Sequence, residues 1–455
     1  MEKKSGYFVA VIGGAVSGSE AAYRLAERGI YVAVFDQNAL PYGKLEDGLP
    51  KWHSKLRDQE IRKIDDKLNH PYIHFIPNVK IGHDISFEKL VSEWGFSAIL
   101  LAAGAWRDRP LPIPDIDYYI GRGFYYQNPL MYWFNHKHEQ DFTGPGIHVK
   151  DNAAIIGGGL ASLDVVKLVM LDLVQEKLEK LGKTIALERL EQEGIAQILA
   201  ENDLSLSKLE LTGCTLYYRR RLQDMPLAEM PENATPRQRE KIFALRLRIL
   251  ENFRSKYLFK VVDQCTPVDK IVIANRIAGL IMQKNKITND RVQPLRNQKF
   301  EIETPMVVSS IGSIPTMIPG LPMEGEVYDL EDPDQGKIKG YDNVFALGNA
   351  VTGRGNIRAS LKHGRQVSDL LAERKFAWKD EDYQEIFNLY ASDADTRAER
   401  LIRFIERKEM LRPEQMASLI QKIDNQQRKS GYDGDYSRWV KSHLPVRLEE
   451  LAVDS

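Results

Sequence analysis

Two stretches of the chain are built on one plan, an apolar strand, a glycine turn and a helix, and few folds use that plan twice. The first runs from Tyr7 to Asp36 (YFVAVIGGAVSGSEAAYRLAERGIYVAVFD). The second runs from Asn152 to Leu171 (NAAIIGGGLASLDVVKLVML), with a later strand, CTLYYRRR, ending at Arg221. Both opening strands are apolar and rich in Val and Ile, as a parallel strand buried on both faces must be. The segments that follow have helical spacing: Ala21, Leu25 and Ala26 in one, Leu163, Val166 and Leu168 in the other. The pattern predicts an α/β protein with two Rossmann-like dinucleotide-binding domains.

A chain of 455 residues is too long for one core, which agrees with two domains. Further buried strands are expected at ILLAAGAW (Ile99 to Trp106), PMVVSSIG (Pro305 to Gly312) and NVFALGNA (Asn343 to Ala350). These place a first domain at 1–106 plus 318–379 and a second at 107–317. The second holds a charged helical insertion at 173–211, and a C-terminal helical extension at 380–455 is expected to pack on the first. The net charge of -1 argues against attraction of the whole molecule to nucleic acid or an acidic membrane. No window is apolar enough to span a bilayer, and the apolar run after the first lysines reads as a strand rather than a signal peptide. The two cysteines, Cys214 and Cys265, lie far apart, which excludes a C-x-x-C disulfide reductase, an iron–sulfur site and a cysteine zinc site. No metal site is expected, and a reducing cytoplasm is the expected compartment.

A dinucleotide turn needs small residues, because the backbone bends sharply and the pyrophosphate sits on a helix N-terminus. Gly13 would make the tight turn and Gly18 would allow close helix–strand packing, with Ala15 at the middle position and Val16 and Ser17 opening the helix. The next strand ends in Asp36, where a carboxylate can accept hydrogen bonds from ribose hydroxyls. The plain alternative is an ordinary strand–turn–helix with Asp36 at a solvated strand end. In the second unit Gly157, Gly159, Leu160 and Ala161 form the turn, and the paired strand ends in Arg219, Arg220 and Arg221. Arginines at that place neutralise a 2′-phosphate, whereas a carboxylate holds a 2′-hydroxyl. The contrast assigns FAD to the first site and NADP(H) to the second. A basic triplet is otherwise an ordinary solvated turn.

With these motifs in place, the chain resembles the adrenodoxin-reductase-type ferredoxin–NADP reductases and the related small subunit of glutamate synthase. The resemblance covers most of the chain and implies a glutathione-reductase-like FAD/NAD(P) fold. PYGKLEDGLPKWH (Pro41 to His53) is similar to the family segment along the isoalloxazine, pointing to Gly43 and Leu45 and closing on His53. LAAGA is similar to the strand end at the domain crossover, with Ala103 and Gly104 at the flavin. YRRRLQDMP looks like the small-subunit version of the arginine pair, Arg219 and Arg220. ALGNAVTGRGNIRAS resembles the segment that closes the flavin site, where Gly348 is followed by Asn349 instead of the aspartate or tryptophan of relatives. By the same resemblance Gly355, Asn356 and Ile357 offer backbone N–H groups to the flavin's pyrimidine edge. His53 and Asp164 fall near the flavin and nicotinamide, and Glu232 (or Glu229) matches a family carboxylate.

Hydride transfer between stacked cofactors needs orientation more than acid–base groups. The chain supplies no second redox centre of its own, so electrons must leave to a partner. The segment Ala234 to Lys256 carries seven basic residues against two acidic ones and resembles the family's ferredoxin-docking helix. Arg237, Arg239 and Arg246 are the expected contacts for an acidic ferredoxin- or flavodoxin-like carrier. A second stripe, Arg397, Arg400, Arg403 and Arg407, has helical spacing, although such stripes are usually solvated faces. Three functions are compatible with these residues. The leading one is a ferredoxin- or flavodoxin–NADP reductase acting alone. The second is an NADPH-oxidising subunit of a larger complex, disfavoured because the chain begins directly at the flavin strand. The third is a non-catalytic flavin-binding sensor, against which the arginine pair argues.

Overall fold

Strands without a polar face must be covered on both sides, and the two glycine-turn strands each sit centrally in their own parallel sheet. The computed structural model describes residues 6–140, 142–228, 230–231, 233–348 and 380–447, with side chains of the last stretch from Tyr383 onward. The first sheet has the order Leu330–Asp332, Lys337–Ile338, Val344–Ala346, Ala98–Leu101, Phe8–Ile12, Tyr31–Phe35, Ile73–Ile76. Its core is parallel, with Phe8 opposite Tyr31, Ile12 opposite Phe35 and Val9 opposite Ala98. The second sheet, also parallel, has the order Phe124–Tyr126, Val307–Ser310, Ala153–Gly157, Cys214–Tyr217, Lys260–Val262.

A third sheet, absent from the sequence reading, is antiparallel: Cys265–Ile273, Arg276–Thr288 and Arg291–Glu303. Its Ile277, Leu280 and Met282 pack on Phe124, Ala154, Ile156 and Val307 and so cover one face of the second sheet. The other face is covered by helices, chiefly Leu160–Lys180 and Pro236–Tyr257. The charged span 173–211 belongs to this cover rather than being appended to it. It continues the helix Leu160–Lys180 and adds Leu187–Glu193 and Ile195–Glu201, whose Leu190, Ile195 and Ile198 are fully buried. Its many charges lie on the outer faces of short helices whose inner faces are apolar.

The C-terminal helix Asp380–Ile405 lies on the first glycine-turn helix, Val16–Glu27, with Ala394, Ala398, Leu401, Ile402 and Ile405 sharing a core with Ala21, Ala22 and Leu25. The helix Pro413–Lys429 places Met416, Leu419 and Ile423 on the opposite side of the same sheet, against Phe8, Ala10 and Ile76. The C-terminal arginine stripe is partly consumed inside the molecule, since Arg397 pairs with Asp393 at 2.9 Å and Arg400 donates to the Asp334 carbonyl. No helix among the described residues is long and apolar enough to cross a membrane.

The basic helix Pro236–Tyr257 begins with a capping box in which Thr235 and Gln238 exchange hydrogen bonds. Arg237, Arg239, Lys241, Arg248 and Arg254 lie on its exposed face. Arg246 does not, and its expected place on a docking surface is corrected. It is 7% exposed, with Nε donating to the Ala228 carbonyl at 2.7 Å and Nη1 to the Gln223 carbonyl at 3.3 Å. Helical periodicity turns this residue inward, where it fastens the loop after the arginine triplet. Arg246→Ala is therefore expected to lower the unfolding free energy by about 2–4 kcal/mol, because a buried carbonyl and a partly buried one lose a charged donor. Arg237→Ala should change it by less than about 0.5 kcal/mol. Chemical denaturation of the two variants checks this.

Candidate functional site

The first glycine turn is defined by two close approaches. Gly13 has φ +100°, and a Cβ there would stand 2.7 Å from the Ala102 carbonyl oxygen. A Cβ on Gly18 would lie 1.9 Å from the Gly13 carbonyl oxygen, so the helix can start against the strand end only with glycine there. The helix Val16–Glu27 has Ala15 as its N-cap and no side-chain cap, which leaves its first-turn N–H groups facing the turn. Asp36 follows the neighbouring strand and is 7% exposed. Its Oδ2 accepts from the Gly14 N–H at 2.9 Å and its Oδ1 from the Asn38 N–H at 3.0 Å. Burial raises its pKa to about 6, against the pull of those two hydrogen bonds.

These groups border an open cleft of about 290 Å³ lined by Gly13, Ala15, Asp36, Gly43, Ala103 and Trp106, together with Lys80–His83 and Thr316–Pro319. The structure thus brings together residues 13, 15, 36, 43 and 103 of those expected at the first site. Gly348 joins them at the helix start, where a Cβ would stand 2.8 Å from Ser17 Oγ. Val16 is half-buried in the first helical turn, and Gly104, at φ +67°, faces open space. Leu45 is instead a core residue, 2% exposed, with its N–H donating to the Tyr42 carbonyl at 3.1 Å. Asn349, Gly355, Asn356, Ile357 and Glu232 lie outside the described residues.

The second turn is as tight. A Cβ on Gly157 would stand 2.2 Å from Ser162 Oγ and 2.4 Å from the Ser310 carbonyl oxygen, and one on Gly158 would meet the Tyr218 ring at 2.2 Å. Gly159, the N-cap, has nothing within 4 Å of such an atom, Leu160 is half-buried and Ala161 is exposed. The arginines extend from the adjacent strand. Arg219 is exposed, Arg220 Nη1 donates to the Asp290 carbonyl at 2.7 Å, and Arg221 holds Asp224 through two bonds of 2.9 Å. The third sheet shapes this loop. Asn285 Nδ2 donates to the Arg219 carbonyl at 3.0 Å and the Gln264 N–H to the Arg220 carbonyl at 3.1 Å, while Asp290 sits in the hairpin turn between the two long strands.

The two turns are tied where the sheets meet. Arg107–Asp108 pairs with Ser313–Ile314, and Lys44 Nζ donates to Asn128 Oδ1 at 3.3 Å and Ser313 Oγ at 3.2 Å. Loss of hydration lowers the Lys44 pKa to about 8, with Asp108 opposing, and raises that of Asp108 to about 6. His53, 5% exposed, and Asp164 from the helix Leu160–Lys180 face one another electrostatically, and burial raises the Asp164 pKa above the usual carboxylate range. Lys167, one turn further along, pairs with Glu191 of the span 173–211. Among the described residues no group of three or more His, Cys, Asp or Glu gathers as a metal site would require.

Sequence reasoning missed Trp106, although it closes the quoted strand ILLAAGAW, and Lys44, although it follows Gly43. Asp290 and Tyr383 carried no local signal. Their relevance comes only from folding.

No protein-family model matches the chain. It is 34% identical to a cindoxin reductase of Citrobacter braakii over 164 residues, a match spanning 35% of this chain and 34% of that protein's length. It is 23% identical to a mitochondrial NADPH:adrenodoxin oxidoreductase of Arabidopsis thaliana over 344 residues, 70% of this chain and 69% of that one. Among solved structures, FprA of Mycobacterium tuberculosis in complex with NADPH superposes with a TM-score of 0.58 at 18% identity, covering 85% of this chain and 90% of that chain. The resemblance to adrenodoxin-reductase-type proteins and the fold class read from the sequence are therefore borne out.

The contacts at the two turns predict opposite tolerance to one methyl group. Gly18→Ala should destabilise by about 3 kcal/mol or more, since backbone must move. Gly159→Ala should cost under about 1 kcal/mol. Thermal unfolding of both variants is the check, and equal losses would contradict the turn geometry.

Proposed function

We propose that this chain is an oxidoreductase that binds FAD at the first glycine turn, takes hydride from NADPH bound at the second, and passes electrons to a small acidic carrier of ferredoxin or flavodoxin type. One observation carries the reading: two glycine turns on two parallel sheets, one marked by the buried carboxylate of Asp36 and the other by Arg219–Arg221. The names of the relatives, a cindoxin reductase and an NADPH:adrenodoxin oxidoreductase, support it.

The first site fits FAD by its own geometry. The Gly13–Gly18 approach leaves no side chain between the helix N-terminus and an incoming pyrophosphate, and the dipole there favours negative charge. Each Asp36 oxygen already accepts one backbone N–H and keeps a lone pair for a ribose hydroxyl. Gly43, Ala103 and Trp106 line the continuation of the cleft. Bound FAD supplies the chemistry of accepting a hydride and returning electrons singly. The chain's part is to orient. The Lys44–Asn128–Ser313 bonds hold the first site against the crossover, so these residues would orient the two bound cofactors toward one another.

At the second site Arg219 and Arg220 receive the 2′-phosphate. Arg220 gives up its bonds to Asp290, whose side chain is 74% exposed, while the buried Asp224, 2.9 Å from Arg221 and 3.5 Å from Arg220 Nε, stays between the two guanidinium groups. The exposed arginines 237, 239 and 248 on the helix Pro236–Tyr257 meet the acidic carrier, and such patches chiefly raise association rate.

Anaerobic stopped-flow mixing with NADPH and NADH tests the reading. NADPH should bleach the flavin and NADH should do so far more slowly. Arg219→Ala with Arg220→Ala should weaken NADP⁺ binding by roughly 100-fold or more, as expected for two lost charge-assisted contacts. Equal loss with NADH would contradict the phosphate role, and bleaching without ferredoxin reduction would favour a subunit of a larger complex. A second prediction concerns pH. Ribose hydroxyls donate to the ionised Asp36, whose carboxyl burial pushes up to about 6, so FAD affinity should fall below that pH, by at most about tenfold per pH unit. Asp36→Asn should abolish this dependence. Release of flavin fluorescence between pH 4.5 and 8 reads both.

A further inference from the structure

We infer that Tyr383, at the start of the C-terminal helix, is a positioning residue that holds the Asp164 carboxylate and the His53 ring in one fixed arrangement beside the second glycine turn. The inference rests on the function proposed above and deepens it. Tyr383 Oη donates to Asp164 Oδ2 at 2.7 Å, across 219 residues of sequence. The same ring lies 4.5 Å from the His53 ring at an interplanar angle of 54°. One side chain therefore touches both residues that the family resemblance places near the reacting rings.

The three groups come from three separate elements: the turn Lys51–His53, the helix Leu160–Lys180 and the helix Asp380–Ile405. Such a trio stays aligned only if each element is anchored independently. The C-terminal helix meets that condition. Beyond Tyr383, Gln384 Nε2 donates to Glu60 Oε1 at 2.6 Å, and Ala394, Ala398, Leu401, Ile402 and Ile405 are buried in the first domain's core. Tyr383 is thus presented from a rigid helix seated on the first sheet, while Asp164 belongs to the cover of the second. Their bond spans the space between the two nucleotide units.

The charges around Asp164 show what the hydroxyl does. Burial pushes the carboxyl up, and Glu191 from the neighbouring helix pushes the same way. His53, Lys167 and the Tyr383 hydroxyl pull it down. The Tyr257 hydroxyl, bonded to the Glu191 carbonyl at 2.9 Å, faces the same carboxyl, and Lys256 lies beside Glu191 and Lys167. A hydroxyl that donates to the carboxylate stabilises its ionised form. An ionised Asp164 beside the second turn favours the positively charged nicotinamide ring of NADP⁺ over the neutral ring of NADPH. Removing the donor should therefore move the pH at which Asp164 loses its charge upward.

The test uses the flavin-loaded chain and its Tyr383→Phe, Asp164→Asn and double variants. Calorimetric NADP⁺ affinity is measured from pH 5.5 to 9, beside the rate of flavin reduction by NADPH. Tyr383→Phe keeps the ring against His53 and should leave the melting temperature within about 2 °C. Its acid limb for NADP⁺ binding should move up by roughly one pH unit. Asp164→Asn should remove that limb, and adding Tyr383→Phe to it should change nothing further, the signature of two residues acting through one contact. The 2′-phosphate titrates alike in all four proteins. A Tyr383→Phe profile that superposes on the parent, or an effect that adds in full to Asp164→Asn, overturns the inference alone. Absence of NADP⁺ binding to the parent protein overturns the proposed function and the inference together.

Discussion

A parallel strand such as Phe8–Ile12 or Ala153–Gly157 has no face it can leave in water, so each of the two sheets needs two apolar covers. The first sheet takes one from the helices Val16–Glu27 and Ser54–Leu68 together with the C-terminal helix, and the other from Phe87, Leu90, Ile318, Leu321 and the helix Pro413–Lys429. The second sheet takes one from helices and the other from three antiparallel strands. Each fully buried Leu or Ile contributes about 1.5–3 kcal/mol. Leu401, Ile402 and Ile405 alone therefore weigh as much as the net stability of many domains, and the C-terminal extension is structural in the full sense.

The covers also carry chemistry. The antiparallel sheet is needed to shield Ala154, Ile156 and Val307, and its presence brings Asn285 to the Arg219 carbonyl and Asp290 to Arg220. The C-terminal helix is needed over Ala21 and Leu25, and its first turn delivers Tyr383 to Asp164 and His53. The span 173–211 completes the helical cover, and its Glu191 neutralises Lys167, which lies 4.3 Å over the Trp52 ring next to His53. In each case an element recruited to bury apolar area also sets the electrostatics beside one of the two glycine turns. Neither role could be lost without disturbing the other.

Between the sheets, ring contacts such as Trp52 against Phe134 are joined by directional hydrogen bonds. Asn128 donates to the Trp106 carbonyl at 2.9 Å and to Ser313 Oγ at 3.1 Å and accepts from Lys44, so one amide joins the first cleft to the two-stranded crossover Arg107–Asp108 and Ser313–Ile314. Polar groups suit this place because hydrogen bonds fix direction, whereas apolar contact would allow the two units to slide.

What the sequence determined by itself was everything encoded within about one strand–turn–helix unit. The glycines at 13, 18 and 157 are legible because backbone approaches of 1.9–2.7 Å, set by neighbours a few residues away or by the paired strand, admit no Cβ. The carboxylate at Asp36 and the arginines after Tyr218 are legible because strand length fixes where the next side chain falls. The fold class followed from these local rules, and the motifs they shape carry the resemblance to adrenodoxin-reductase-type proteins. Arg246 was misread because a basic run does not say which of its members the helix turns inward, and only the loop carbonyls of Gln223 and Ala228 decide that. The antiparallel sheet, the role of Lys44, the hairpin carboxylate of Asp290 and the hydroxyl of Tyr383 were decided by tertiary structure alone. Each depends on a contact between residues far apart in the chain, and such pairings are chosen by which faces need cover, a property of the assembled sheets that no single segment contains.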